Sequence, residues 1–485
     1  MMLLQLSTSF VKLLKMHTVL GPRGYTVLKS ELDDEEVLHV KKELTVTPFV
    51  PEDYQIGKQP SFKVYLESSS KLYLPKFYGL TKYGRPTHTK INEGENINVE
   101  FRGNLRPEQE EPVSVFRECA LDPLKMGGIL NMQCAAGKTV MAIYIICMMK
   151  KKALVIVHKD FLLNQWKERI QEFAPSARIG TIKAKTIDVE DKDIVIGSLQ
   201  SLSMKEYDEN VFNGFGMLVV DEAHHTGAEV FSKALQKINV KYTLGLSATV
   251  ERKDGLSKVF KWYLGNVIYK KKNKGKDIID VHMLEYTNQC KNYCGEFTIF
   301  GNKPNMSKMI NNICDFEPRV EFIVQKMQQV LENEPQRRIL VLSDRRSHLQ
   351  MFKEMLEKYN MCDVGFYYGG MKQDDLKESE GRSIILGTYA MISEGFDVKG
   401  LDTLVLASPK SDVVQSVGRI LRTPKHERKS VPLVIDIVDD FSMFPKQAKK
   451  RVTYYKSCKY NIIDNNKPKV NSNKIINIDD FAFKD

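Results

Sequence analysis

No stretch of this 485-residue chain stays apolar for the roughly 18 to 20 residues that a membrane-spanning helix needs. The opening segment comes nearest, but Gln5, Ser7, Thr8 and Ser9 interrupt it. Lys12 and Lys15 follow its apolar part, whereas a secretory leader carries its charges first. It reads as a surface helix or a disordered extension, with Met16 the expected initiator ahead of the ordered-looking sequence from Gly21. Cysteine is scarce in effect: the eight residues (119, 134, 147, 290, 294, 314, 362 and 458) are irregularly spaced and make no disulfide framework. The nearest pair, Cys290 and Cys294, lacks a second pair or a neighbouring His cluster, which argues against structural zinc. A reducing, intracellular setting is expected. There is no repeat at solenoid period, and no further carboxylate-rich metal motif that would signal a fused nuclease.

Apolar residues make up 42% of the chain and charged residues 27%, ordinary values for a globular protein with real cores. Lys and Arg number 72 against 61 Asp and Glu, a net charge of +11. That excess suits a polyanionic partner, because each neutralised phosphate releases counterions.

Residues 1–100 mix charged stretches with short β-type runs at 62–66 and 71–74, and form a small mixed N-terminal domain. From Ile97 onwards, strand-length apolar runs alternate with helical-period segments, the mark of β-α-β units around a parallel sheet. Strands are expected at 129–132, 153–157, 193–196, 217–220 and 242–246 in a first region, 101–270. A lysine-rich linker at 270–276 precedes a second region, 277–440, with strands at 279–284, 338–342, 364–367, 383–386, 403–406 and 432–437. Residues 441–485 read as a basic C-terminal extension: a helix and then an Asn/Lys-rich, loosely ordered end. The fold class is α/β. In open α/β sheets ligands gather at the carboxyl ends of the strands, which is where the chemistry-bearing residues lie.

Met132-Gln133-Cys134-Ala135-Ala136-Gly137-Lys138-Thr139 joins a strand to a helix and ends as a phosphate-binding loop. Backbone N–H groups cradle phosphate there, Lys138 reaches the β- and γ-phosphates, and the Thr139 hydroxyl ligates magnesium. Met132 replaces the usual first glycine. Val219-Val220-Asp221-Glu222 ends an apolar strand in two carboxylates: Asp221 holds the magnesium through water, and Glu222 orients and deprotonates the attacking water. Helix capping would account for either carboxylate alone, but not for both beside a Gly-Lys-Thr loop.

With Ala223-His224, the pair becomes Asp-Glu-Ala-His, and the chain resembles the superfamily-2 helicases over residues 100–440. That resemblance implies two tandem RecA-like lobes, ATP and Mg2+ as cofactors, and a nucleic-acid partner. It assigns Gln109 to the adenine, with Arg106 supporting it, and counts Gly395 and Asp397 of the motif V segment 388–397 with the nucleotide site. Ser247-Ala248-Thr249 resembles the motif coupling ATP state to nucleic-acid grip. Residues 415–422 resemble motif VI, whose Arg419 and Arg422, three apart on one helix face, would act as arginine fingers from the second lobe. Gln165-Trp166, after Val157-His158-Lys159, resembles motif Ia; a core aromatic at a helix start is the other reading of Trp166. Ser198 and Gln200 (motif Ib) and Thr388 would hold one strand by its phosphates. Most relatives carry glycine in place of Ala135. The segment 245–256 is similar to the XPB-type branch, with Lys253 where that branch has an acid. The stretch 71–80 is similar to one in helicases of large DNA viruses related to the poxvirus transcript-release helicase. The expectation is a monomeric motor on DNA, serving a transcription complex in host cytoplasm or nucleus or packaged in virions. An RNA helicase and an ATP-switched scaffold are the alternatives.

Overall fold

A computed structural model describes residues 16–49, 60–132, 136–222, 227–248, 254–270, 278–299, 303–392, 396 and 398–464. The expectations placed on the opening segment, on 271–276, on Cys134, Ala135, Ala223, His224, Thr249, Lys253, Gly395 and Asp397, and on the tail from 465 lie outside the described residues. The chain divides into two compact units, Met1–Lys272 and Asn273–Asp485.

In the first unit eight strands form one sheet: β1 (Gly127–Asn131), β2 (Ala153–Val157), β3 (Ile179–Lys183), β4 (Thr186–Asp188), β5 (Ile194–Ser198), β6 (Met217–Asp221), β7 (Tyr242–Ser247) and β8 (Val267–Lys270). Their spatial order is β4-β3-β5-β2-β6-β7-β1-β8, and every pairing is parallel except the edge pair β3–β4. The near-continuous apolar runs follow from burial on both faces. Leu154, Ile156, Leu218 and Val220 point into one core, while Val155, Val157, Met217 and Val219 point into the other.

The first of these cores also takes in Leu20, Tyr25, Val27, Leu72, Leu74 and Tyr83 from the N-terminal region. That region has its own five-stranded sheet, Leu66–Glu67, Lys71–Leu74, Gly24–Leu28, Thr18–Gly21 and His88–Thr89 in spatial order. It shares a hydrophobic core with the larger sheet, so its described residues brace the first unit. Lys76, only 2% exposed, pins the seam by donating to the carbonyls of Val240 and Lys241 at 3.1 and 2.9 Å.

The second unit is a seven-stranded, wholly parallel sheet: β9 (Asp280–Tyr286), β10 (Ile339–Ser343), β11 (Val364–Tyr367), β12 (Ile384–Thr388), β13 (Thr403–Leu406), β14 (Leu433–Asp439) and β15 (Asn461–Asp464), ordered β11-β12-β10-β13-β14-β9-β15. Leu340 and Leu342 face one core, Ile339 and Val341 the other. Residues 441–464, expected as an extension, belong to the unit itself. The helix Phe444–Ser457 packs on β14, where Arg451 makes a buried bidentate pair with Asp436, and β15 adds an edge strand beside β9. Two parallel sheets covered by helices give the layered α/β architecture expected of RecA-like lobes. Among the described residues no helix is long and apolar enough to cross a membrane.

Candidate active site

The chemistry of the first unit collects at the carboxyl edge of its sheet. After β1 the chain reaches Gly137, whose left-handed φ of +73° places it just ahead of the helix Lys138–Met149. A Cβ there would come within 2.3 Å of Gln109 Nε2 and 2.7 Å of an Arg106 nitrogen, so a larger residue would strain the backbone and push those side chains aside. Lys138 opens the helix and Thr139, half-buried, follows it.

Gln109 lies beneath this loop. Its Oε1 accepts from the Arg106 N–H at 2.9 Å, and its Nε2 donates to the carbonyls of Ala136 and Gly137 at 3.1 and 3.3 Å. Both ends of the amide are thus engaged by this chain's backbone.

Asp221 is the last residue of β6 and Glu222 the first beyond it. Asp221 is 8% exposed, and its Oδ2 accepts a 2.9 Å hydrogen bond from the indole N–H of Trp166. Burial drives the Asp221 pKa up to about 6, the adjacent Glu222 adds to the rise, and Lys138, the indole and His158 oppose it. Glu222 adopts a left-handed φ of +46°, uncommon for a residue with a side chain, and its N–H donates to Leu246 at 3.0 Å. Its carboxylate bridges two motifs: Oε1 pairs with the Lys138 ammonium, and Oε2 accepts from the Ala248 N–H at 3.3 Å. Phosphate loop, acidic strand end and the Ser247-Ala248 segment therefore converge on one carboxylate. Ser247 ends β7, beside Asn131 of β1.

The residues present suit a hydrated magnesium ion. The Asp221 carboxylate and Thr139 hydroxyl are hard oxygen donors. Asp221 is moreover pushed upward by burial beside another carboxylate, a shift that a divalent cation reverses. Among the described residues no group of three or more His, Cys, Asp or Glu side chains could hold a metal on its own.

The other candidates are placed singly. Ser198 ends β5 and is buried at the N-cap of the helix Leu199–Met204, whereas Gln200 is exposed on that helix. Thr388 ends β12, half-buried beside Ser343 of β10. Within the second unit the two motif VI arginines differ. They do not share an α-helix: Val414–Val417 gives way to a 3-10 turn, Gly418–Leu421, with Arg422 at its end. Arg419 is 4% exposed and donates to the Phe396 carbonyl at 2.6 Å, so it braces the end of the motif V segment; Arg422 is half-buried.

Sequence reasoning left two links unseen: the Trp166–Asp221 hydrogen bond and the contact of Glu222 with the Ala248 N–H. Both join residues far apart in the chain. The usable signal was Trp166 itself, since a buried indole N–H requires a partner.

Known proteins resemble this chain in sequence. The family described as the res subunit of type III restriction enzymes matches residues 102–252, and the helicase conserved C-terminal domain matches residues 323–424. A protein of Acanthamoeba polyphaga mimivirus, named as an ATP-dependent RNA helicase, is 38% identical over 450 residues, covering 90% of this chain and 85% of its own. A protein of Invertebrate iridescent virus 6, named as a helicase, is 28% identical over 383 residues, 74% of this chain and 82% of its own. One from African swine fever virus, named as an ATP-dependent RNA helicase, is 26% identical over 380 residues, 73% of each chain. With two helicase domains in tandem and a mimivirus relative matching along most of its length, the chain belongs to the superfamily-2 helicases and is an ATP-dependent helicase.

Proposed function

We propose that this helicase is a motor that moves along DNA during viral transcription, in elongation or transcript release. The observation that carries the motor reading is the meeting of Lys138, Glu222 and the Ala248 N–H at one edge of the sheet. An incoming γ-phosphate competes with Glu222 for the Lys138 ammonium. Released from Lys138, the Glu222 carboxylate is able to accept a proton from the attacking water. Its other oxygen accepts from the Ala248 N–H, so a change at Glu222 reaches the Ser247-Ala248 segment directly. Thr139 and Asp221 would hold magnesium, which neutralises charge on the transferred phosphoryl group. We assign Arg422 to ATP hydrolysis, with Arg419 bracing the Phe396 segment of the same unit. Ser198, Gln200 and Thr388 are assigned to phosphates of the bound strand.

The resemblance of segment 245–256 to the XPB-type branch, and of 71–80 to viral transcription helicases, supports DNA as the track. RNA is the second reading, favoured by the names of the mimivirus and African swine fever virus relatives. Steady-state ATP hydrolysis measured alone, with single-stranded DNA, with duplex DNA and with RNA separates the two. Stimulation by DNA that disappears in Glu222→Gln supports the proposal; stimulation by RNA alone overturns the DNA track, and no turnover with any of them overturns the motor.

A further inference from the structure

We infer that Trp166 is a positioning residue for the magnesium-binding carboxylate, and that it ties the helix behind the motif Ia segment to the cation. The inference rests on reading the first unit as the ATP site. Trp166 sits in the helix Asp160–Phe173, packed with Leu162, Leu163 and Ile170 in one of the two sheet cores, and is 1% exposed. An indole buried this deeply needs a partner for its single N–H, and a backbone carbonyl would serve. Here the partner is Asp221 Oδ2, at 2.9 Å.

That choice has three chemical effects. It fixes the carboxylate rotamer from a ring that packing already holds rigid. It occupies Oδ2 and leaves Oδ1 with no hydrogen bond among the described residues, so one oxygen is oriented and the other is presented. The donor is also neutral: unlike Lys or Arg, an indole orients the carboxylate without cancelling the charge that attracts a cation. Partners in this outer position commonly change metal affinity about 10- to 100-fold when removed.

The helix carrying Trp166 begins at Asp160, directly after Val157-His158-Lys159 and the carboxyl end of β2. A shift of this helix when a strand binds at its start would move the indole N–H relative to Asp221. The same hydrogen bond thus provides a physical route from strand binding to cation geometry.

The chain has two tryptophans, Trp166 and Trp262, which makes the test direct. In Trp262→Phe the remaining fluorescence comes from Trp166 in its native place. Adding Mg2+ with ADP should change that emission, and Asp221→Asn should abolish the change. Trp166→Phe should raise the half-saturating Mg2+ concentration for ATP hydrolysis about tenfold, weaken Mn2+ binding with ADP in parallel, and leave turnover at saturating Mg2+ within about threefold. A merely structural tryptophan would alter thermal stability and leave the metal dependence where it was. If Mg2+ with ADP binds the unaltered chain but leaves Trp166 emission unchanged, or if Trp166→Phe keeps the parental metal dependence, the inference fails alone. If the unaltered chain binds no Mg2+ with ADP, the ATP-site reading fails with it.

Discussion

Both units bury charge, but they balance it differently. In the second unit Arg319 and Asp439 are fully buried and mutually saturated. Two guanidinium nitrogens meet the two carboxylate oxygens at 2.6 and 2.9 Å, a third donates to the Ala407 carbonyl at 2.6 Å, and the Tyr293 hydroxyl adds a 2.7 Å bond to Asp439. In the first unit, among the described residues, Lys138 pairs with Glu222, while Asp221, buried beside that carboxylate, is driven upward in pKa. Burial alone therefore does not mark a functional site. A saturated pair holds a fold, whereas an excess of buried carboxylate is a demand for a cation.

The largest expected effect comes from neutralising a charge in the unbalanced group. Glu222→Gln should lower ATP turnover by about 100- to 10,000-fold while changing the unfolding free energy by less than about 1 kcal/mol. Turnover measured beside thermal unfolding checks this, and a collapse of folding would erase the distinction between the units. Asp439→Ala should do the reverse. Leaving Arg319 buried without its carboxylate costs about 3–5 kcal/mol, seen as early unfolding of the second unit, while ADP binding by the first unit persists.

The third effect is graded by pH and is small at any one step of it. Burial draws the Lys76 pKa down to about 7 from its ordinary 10.5, so between those values the folded chain binds fewer protons than the unfolded one. The penalty for burying the ammonium is full below pH 7, shrinks as pH rises, and is gone above 10.5, with a slope of at most about 1.4 kcal/mol per pH unit. Lys76→Met should flatten that slope. Denaturant unfolding of both proteins at pH 7 and near the upper end of the window measures it; parallel slopes would mean that Lys76 keeps its proton in the folded chain as it does in the unfolded one.

The parts of the fold legible in the sequence were those whose burial is written into consecutive residues. Ala153–Val157, Val364–Tyr367 and Thr403–Leu406 are apolar runs or nearly so, and the expected and observed strands coincide. The last helix was expected, but its packing into the unit was not, because Lys446, Lys449, Lys450 and Lys456 make it look solvated, and nothing local reveals that Arg451 among them turns inward to Asp436. The same holds at the site. Lys138, Asp221 and Glu222 announce themselves by residue type and order, but the left-handed Glu222, the inward Gln109 amide and the Trp166 hydrogen bond depend on where neighbouring strands end.

β9 is the first strand of its sheet to be synthesised, yet its two neighbours, β14 and β15, are the last. While the middle of the unit is still on the ribosome, β9 has no strand to pair with and its unpaired edges invite association with other chains. The first unit, whose sheet is complete by Lys270, can close meanwhile. Nascent chains of this protein thus pass through a stage with one finished unit and one open sheet, and a premature stop ahead of Leu433 would make that stage permanent.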